Sequence, residues 1–165
     1  MKKRLSHYDS SGRVSMVDIS AKKITTRTAT AHAFVAMSSE VIKALPNNTK
    51  GDPFEVARIA GISAAKKTAD LIPLCHQLPL THVELDFIAH SNGVEVRAVA
   101  STHARTGVEM EAMMAASIAA LTIYDMTKGL DKGVEIQEIY LVEKTGGKSG
   151  TYQRVSSASS PAGTK

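Results

Sequence analysis

The most constraining feature of this sequence is an Asn-Gly pair that joins two segments of alternating apolar and polar residues. The segments cover 81–89 and 94–102, and Ser91-Asn92-Gly93 lies between them. Alternation with a period of two is typical of a strand that buries one face. Asn-Gly between two such segments is the strongest short-range signal for a hairpin. The chain is therefore expected to fold around an antiparallel sheet.

Two further segments alternate in the same way and extend the predicted sheet. From Thr26 onward, threonines, His32 and Phe34 alternate with Arg27, alanines and Val35, and β-branched residues are frequent, as in strands. A last strand is predicted over 134–142. The sheet is therefore expected to contain four strands.

Helices are predicted between the strands. The first opens at Ser38-Ser39-Glu40 and ends before Pro46, because the residue preceding a proline avoids the helical conformation. Asp52 is the expected N-cap of a second helix that begins with a proline and ends near residue 69. Gly61 within that helix indicates either a close packing contact or a kink.

A third, Ala- and Met-rich helix completes the predicted secondary structure. It opens at Thr106-Gly107-Val108-Glu109, which has the spacing of a capping box, and runs to about residue 128. The order β, α, α, β, β, α, β is that of the ferredoxin-like split βαβ arrangement with one additional short helix. We therefore expect an α+β fold, with an antiparallel sheet and helices packed on one face.

Length and composition indicate one globular unit. The chain has 165 residues, of which 43% are hydrophobic and 22% charged, so a single core is expected. We expect a flexible leader over 1–13, one functional domain over 14–152 and a disordered tail over 153–165. The single cysteine, the absence of a secretory signal and the absence of an apolar run of about 20 residues favour a cytoplasmic protein.

The net charge of +4 favours an anionic partner, which could be a nucleic acid or a small phosphorylated molecule. An RNA-binding module is one alternative, since ferredoxin-like sheets include RNA-recognition motifs that stack bases on aromatic side chains. Aromatic residues make up only 4% of this chain, and its strands offer little beyond Phe34, Phe87 and Tyr140. A small phosphorylated partner, with no nucleic acid and no membrane, is therefore the preferred prediction.

The glycine-rich segment 144–150 resembles a P-loop in composition but not in spacing. A P-loop would need glycine where Val142 stands, and a helix directly after the loop. Two lysines still flank glycines that let backbone N–H groups approach a phosphate. Anion binding and a flexible basic linker both remain open interpretations.

Cys75 and His76 place a thiol next to an imidazole. Adjacent residues of an extended segment point to opposite sides, which disfavours a shared metal or a Cys–His nucleophile pair. Cys75 is expected to be a small buried side chain, and His76 a candidate hydrogen-bonding group for a ligand.

The long helix carries the remaining candidate groups. Glu109 occupies the capping-box position, whereas Glu111 has no such structural role. Asp125 and Lys128 share a helix face and form either a routine surface pair or an acid–base couple. The apolar neighbours of Asp125 predict that its carboxylate is partly buried.

The spacing of Glu111 and Asp125 along the helix places their carboxylates far apart. Glu111 and Asp125 are fourteen positions apart, so they lie on a similar face but about 21 Å apart along the helix axis. If both serve one site, two subunits must supply them. Lys50 is a further candidate because it precedes the N-terminus of a helix, where anions are favoured.

Several segments together resemble one protein family over about residues 14–152. They are 16–20 (MVDIS), 59–66 (IAGISAAK), 71–76 (LIPLCH), 106–112 (TGVEMEA), 121–126 (LTIYDM) and 146–150 (GGKSG). In these segments the chain resembles the MoaC family of molybdenum cofactor biosynthesis. Gln77 and Arg105 depart from the pattern, since proline and lysine are common there.

The resemblance implies a specific reaction. Family members convert 3′,8-cyclo-7,8-dihydroguanosine 5′-triphosphate, made from GTP by a radical SAM enzyme, into cyclic pyranopterin monophosphate and diphosphate. It also implies a ferredoxin-like homohexamer, a trimer of dimers with active sites between subunits. No resident cofactor or metal is implied, although Mg²⁺ accompanying the triphosphate is compatible with it. A ligand-sensing oligomer that binds a nucleotide without converting it is the remaining alternative.

The resemblance also implies the residues of the site. The catalytic residues would be Asp125, Lys128 and Lys50. The other contacts to the substrate would be Leu74, Cys75, His76, Met110 and Glu111. The basic residues near the triphosphate would be Arg27, Lys66, Lys144 and Lys148.

Overall fold

Five strands form one antiparallel sheet in the computed structural model, which describes residues 7–9 and 11–155. The strands are β1 (Thr25–Ala36), β2 (Leu80–His90), β3 (Gly93–Ala104), β4 (Glu135–Thr145) and β5 (Tyr152–Gln153). Their order across the sheet is β2-β3-β1-β4-β5. The four predicted strands all form and pair antiparallel, while the two-residue β5 was not predicted.

The helices lie between these strands in the predicted order. They are α1 (Ser39–Ala44), followed by a short 3₁₀ turn (Leu45–Asn47), then α2 (Pro53–Lys66), α3 (Thr68–Leu71) and α4 (Glu109–Thr127). α2 and α4 pack on each other and on the sheet. The α+β, ferredoxin-like prediction is therefore confirmed. Within the described part of the chain, no helix combines the length and apolar character that a membrane crossing requires.

Small side chains let α4 lie close to the sheet. Four residues of β1 alternate toward the core and are fully buried: Ala29, Ala31, Ala33 and Val35. Five alanines of α4 are also fully buried: Ala112, Ala115, Ala116, Ala119 and Ala120. Because the distance between packed elements depends on the side chains at the contact, these alanines allow a close approach of α4 to the sheet.

The predicted hairpin forms, but its glycine is required by packing rather than by the turn. His90 pairs with Gly93, so Ser91 and Asn92 are the turn residues, and neither has a positive φ. A Cβ on Gly93 would lie 2.5 Å from Cζ of Phe34. Gly93 is therefore the residue that lets β1 pass beside the end of the hairpin.

The predicted N-caps of α1 and α2 are confirmed. The Ser38 hydroxyl accepts a hydrogen bond from the N–H of Val41, and the Asp52 carboxylate accepts one from the N–H of Phe54. The predicted end near residue 69 is wrong, because Lys67 leaves the helical conformation at φ −109° and ψ 12° and divides the segment into α2 and α3.

The capping box predicted for the long helix is also wrong. α4 begins at Glu109 after Val108, and its N-cap has no side-chain hydrogen bond. The Glu109 carboxylate instead accepts a hydrogen bond from Lys144. Glu109 thus belongs to a charged cluster rather than to the helix cap.

The predicted leader and tail lie partly outside the described residues, which exclude 1–6, 10 and 156–165. Within the leader, Tyr8 forms a bridge with Val14. At the other end, Gln153 of β5 pairs with Glu143 of β4. Strand pairing therefore continues past the predicted boundary at residue 152.

Candidate active site

A cavity of about 1260 Å³ opens at the N-terminal end of α4. Five segments provide most of its lining: the stretch before β1 with the start of β1, the loop between α3 and β2, the loop between β3 and α4, the first turn of α4, and the end of β4 with the glycine-rich loop after it. Most of these segments are far apart in the sequence, and the antiparallel sheet brings them together because β1, β3 and β4 are neighbours. The cavity is thus a product of the sheet order.

The cavity wall is strongly cationic. Six basic side chains line it: Lys22, Lys23, Arg27, Arg105, Lys144 and Lys148. Three carboxyl groups share the wall: Asp18, Glu109 and Glu111. A polyanion of several charges would therefore be attracted to this cavity.

Arg27 is held in place by the backbone. Its guanidinium donates hydrogen bonds to the carbonyl oxygens of Ala104 at 3.1 Å and Arg105 at 3.2 Å. A Cβ on Gly147 would lie 2.2 Å from the Nη1 atom of Arg27. Gly147 also has a positive φ of 75°, so glycine meets both a conformational and a steric requirement there. The glycine-rich loop therefore packs directly on a fixed cation.

Glu111 is a buried acid at the same cavity. Only 4% of the residue is exposed, and burial raises the pKa of its carboxyl to about 7, with the neighbouring Glu109 adding to the shift. No cation lies within ion-pair distance of it among the described residues. Glu111 is therefore able to exchange a proton near neutral pH.

Cys75 and His76 both face this cavity, although they are adjacent in sequence. The Cys75 N–H donates to the carbonyl of Ile72, so this part of the predicted extended stretch is a turn. Burial raises the pKa of the Cys75 thiol, and the charge of Glu111 raises it further. A raised pKa keeps the thiol neutral and disfavours a nucleophile. Cys75 is only half-buried, however, so the prediction of a buried side chain is wrong.

A second charged cluster lies at the opposite end of α4. The Nζ of Lys128 is 2.8 Å from Oδ1 of Asp125, and the Nζ of Lys50 donates to the backbone carbonyl of Asp125 at 3.1 Å. The hydrogen bond and charge of Lys128, followed by the charge of Lys50, lower the pKa of Asp125. Asp125 in turn raises the pKa of Lys128. The three predicted catalytic residues are thus brought together as an ionised group.

The structure corrects the predicted burial of Asp125. Its side chain is 60% exposed, and that of Lys128 is 50% exposed. The apolar neighbours of Asp125 in the sequence, such as Ile123 and Met126, point into the core and leave the carboxylate on the outer surface. Helical periodicity, rather than the composition of the segment, determines the exposure of each residue.

The predicted site residues therefore fall into two groups that do not meet within one chain. The cavity contains Arg27, Leu74, Cys75, His76, Met110, Glu111, Lys144 and Lys148. The group of Lys50, Asp125 and Lys128 lies at the far end of α4. Lys66 lines neither of them; it is exposed in the last turn of α2.

Several cavity residues were missed by sequence reasoning. Asp18, Lys22 and Lys23 come from the irregular stretch before β1, which gave no structural signal. Hydrogen bonds from Ser20 lower the pKa of Asp18, and the nearby His76 adds to this effect. The signal that could have indicated Asp18 is its place in the 16–20 segment, one of those that carry the family resemblance.

Comparison with known proteins identifies the family. The family model described as the MoaC family matches residues 16–147. A protein of Lysinibacillus sphaericus (strain C3-41) is 53% identical over 153 residues, which cover 89% of this chain and 96% of the relative. One from Geobacter metallireducens is 54% identical over 152 residues, covering 90% of this chain and 95% of the relative.

A relative from Peptoclostridium acidaminophilum is 48% identical over 152 residues and covers 91% of this chain and 97% of its own length. All three relatives are named cyclic pyranopterin monophosphate synthase. The family match spans all the helices and the strands from β1 to β4. The chain belongs to the MoaC family.

Proposed function

We propose that the chain is a cyclic pyranopterin monophosphate synthase of molybdenum cofactor biosynthesis. It would act as a lyase on 3′,8-cyclo-7,8-dihydroguanosine 5′-triphosphate, form the cyclic monophosphate and release diphosphate. The observation that carries this proposal is the cationic cavity that also holds His76 and the buried Glu111, in a chain about half identical to named synthases over most of its length.

The cavity suits the two chemically different parts of this substrate. A triphosphate carries about four negative charges near neutral pH, which Arg27, Lys144 and Lys148 would neutralise. The fused rings carry hydrogen-bond donors and acceptors, and these suit His76 and Glu111, with Met110 as an apolar contact. We assign Leu74 and Cys75 to the same ring contact, because both line the cavity.

We further propose that a second subunit completes each site. The cluster of Asp125, Lys128 and Lys50 lies about 21 Å along α4 from Glu111, a distance that no small substrate spans. Exposed apolar residues accompany α4 and α2 between these ends; Leu121 is 50% exposed and Ile59 is 67% exposed. Such exposed apolar residues favour association between copies, and the family resemblance favours a homohexamer built as a trimer of dimers.

The ionised cluster would supply the proton transfers. Asp125 keeps Lys128 in its ammonium form because it raises the pKa of that lysine, so Lys128 can donate a proton and then take one back. Asp125 itself remains a carboxylate that orients the ammonium group. Lys50, held at the Asp125 carbonyl, is the second proton carrier. We assign no resident cofactor, and Mg²⁺ would enter only with the triphosphate.

Direct conversion tests the proposal. The purified chain is incubated with the cyclic nucleotide, prepared from GTP by the radical SAM cyclase that we place upstream. Cyclic pyranopterin monophosphate is measured by chromatography and diphosphate by a coupled assay. We expect both products in equal amounts, and none with GTP itself.

Two other results would contradict the proposal. Tight binding of the cyclic nucleotide without either product would indicate a ligand-sensing oligomer. A steeply salt-dependent affinity for single-stranded RNA, together with no conversion, would indicate an RNA-binding module. We place the enzyme in the cytoplasm, where GTP is available.

A further inference from the structure

In the cationic part of the cavity, one lysine is already paired with a carboxylate side chain of the same chain. The Nζ of Lys144 lies 2.5 Å from Oε1 of Glu109, and the two side chains are only 31% and 27% exposed. Lys144 is one of the basic residues assigned to the triphosphate. In the free chain its ammonium group is therefore neutralised by a carboxylate that a phosphate would have to replace.

The Glu109 carboxylate lies between Lys144 and the backbone at Gly107. A Cβ on Gly107 would lie 1.8 Å from its Oε2 atom, so the carboxylate lies directly against the backbone that leads into α4. Glu109 is itself the first residue of α4, and that helix is anchored by its buried alanines. Because Glu109 belongs to this packed helix, its carboxylate stays close to Lys144 and can pair with it again after another anion leaves.

From this geometry we propose that Glu109 is a specificity-determining residue, a resident counter-ion that competes with phosphate groups for Lys144. The inference rests on the proposed function. It gives Glu109 a role in phosphate binding, whereas the sequence predicted that this residue caps a helix. Substrate phosphates displace Glu109 from the lysine when they bind. The carboxylate returns to Lys144 when diphosphate leaves.

The effect of such a competitor differs between substrate and product. It weakens the binding of every phosphate group near Lys144, through competition and through repulsion between like charges. The complete substrate also has its rings bound by the His76 and Glu111 part of the cavity. After cleavage, diphosphate is no longer bonded to the rings, so only the cations of the cavity hold it. The free-energy cost of displacing Glu109 is therefore a larger share of the binding of diphosphate than of the binding of the substrate, whose ring contacts remain.

Binding of inorganic diphosphate to the full chain, measured by calorimetry, tests this role without any turnover. We expect Glu109→Gln to tighten diphosphate binding by about threefold to tenfold, the range for one partly screened charge interaction. Lys144→Gln should weaken binding, and the double variant should resemble Lys144→Gln, because the competitor then has nothing to compete for. The gain from Glu109→Gln should shrink at high salt.

Glu143→Gln is the matched control, because it removes the same charge one residue from Lys144. Its carboxylate contacts Thr30 and Arg97 instead of Lys144, so diphosphate affinity should stay within about twofold of native. Thermal unfolding of each variant establishes that it is folded.

The outcomes separate this role from the proposed function. Unchanged or weaker diphosphate binding by Glu109→Gln, with binding by the native chain intact, would overturn the role of Glu109 alone. No diphosphate binding by any form would overturn the anion site itself and, with it, this inference. Stronger inhibition of turnover by diphosphate in Glu109→Gln would support the role under catalytic conditions.

Discussion

At the scale of single residues, Glu111 shows how burial overrides a favourable local environment. It lies in the first turn of the 19-residue α4, where the helix dipole favours a negative charge. Burial to 4% exposure nevertheless raises its pKa to about 7. The loss of hydration at this position is therefore larger than the stabilisation that the helix terminus provides.

This shift predicts a pH-dependent stability. The folded chain keeps its proton on Glu111 up to about pH 7, whereas the unfolded chain releases it near the ordinary value. Between these two values the folded state binds more protons, so the free energy of unfolding falls as pH rises. Glu111→Gln removes this contribution and should become more stable relative to the native chain, by an amount on the order of 2–3 kcal/mol above pH 7.

Urea denaturation at pH 5, 6, 7 and 8 measures the difference. Glu55→Gln, on the exposed surface of α2, is the control and should follow the native pH dependence. A difference between Glu111→Gln and the native chain that is the same at all four pH values would show that Glu111 does not titrate in this range.

The Asp125–Lys128 pair leads to a second prediction at this scale. We expect Asp125→Asn and Lys128→Ala each to lower turnover of the cyclic nucleotide by about 10²- to 10⁴-fold, the usual contribution of a positioned acid or base. On the alkaline side, the residual activity of Asp125→Asn should decline at a lower pH than the activity of the native chain does. The reason is that Asp125 raises the pKa of Lys128.

Initial rates from pH 6 to about 11.5 provide the measurement, because the ordinary lysine pKa is about 10.4. Lys132→Ala changes an exposed lysine in the loop that follows α4 and should retain native turnover. Near-native turnover of both Asp125→Asn and Lys128→Ala would show that the cluster takes no part in the reaction.

At the scale of secondary-structure elements, the sequence predicted most of the fold because local signals agreed with tertiary packing. The alternation in β1 places its alanines and Val35 in the core, and Asp52 caps α2 as its side-chain chemistry requires. The prediction failed where a tertiary contact decided the outcome. Glu109 has the spacing of a capping residue but binds Lys144, which is 35 positions away.

The candidate site was predictable to a smaller extent for a related reason. Residues with distinctive motifs, such as His76 and Asp125, could be named from the family resemblance. Lys22 and Lys23 lie in a stretch without periodicity, and only the folded sheet places them at the cavity. Lys66 matched the basic pattern in sequence, yet its position at the exposed end of α2 keeps it out of the cavity.

The contact between α2 and α4 predicts a stability effect at the element scale. A Cβ on Gly61 would lie 2.5 Å from Cδ2 of Leu85 and 2.9 Å from the backbone carbonyl of Ala115. The sequence indicated either a close packing contact or a kink at Gly61. These short distances identify a close packing contact, and α2 continues through Gly61 without interruption. Gly61→Ala should destabilise the chain by about 1–3 kcal/mol through overpacking, after an offset of about 1 kcal/mol from helix propensity.

Urea denaturation gives the midpoint and the slope of the transition. The midpoint should fall while the slope stays constant. Ser63→Ala changes an exposed position of the same helix and should shift the stability by less than about 0.5 kcal/mol. A Gly61→Ala variant as stable as Ser63→Ala would mean that the two helices can separate without cost.

At the scale of the whole molecule, the distribution of charge matters more than its sum. The net charge of +4 is modest, yet six basic side chains share one cavity. A second cluster of two lysines and a carboxylate lies at the other end of α4. One chain therefore contains two groups of charges that are held apart by the length of α4.

This separation makes a prediction about assembly that single variants cannot test. If the cavity of one subunit is completed by the Asp125 cluster of another, a His76→Ala subunit and an Asp125→Asn subunit each retain the half that the other lacks. Equal co-expression of the two inactive chains, with two affinity tags to isolate mixed oligomers, should restore activity. Random mixing leaves both halves intact in about one quarter of the sites, so turnover should approach one quarter of native.

Each variant expressed alone should remain inactive under the same conditions. Mixed oligomers that are as inactive as their parents would mean that each chain supplies both halves of its own site, which the length of α4 opposes, since a helix of 19 residues extends for about 28 Å.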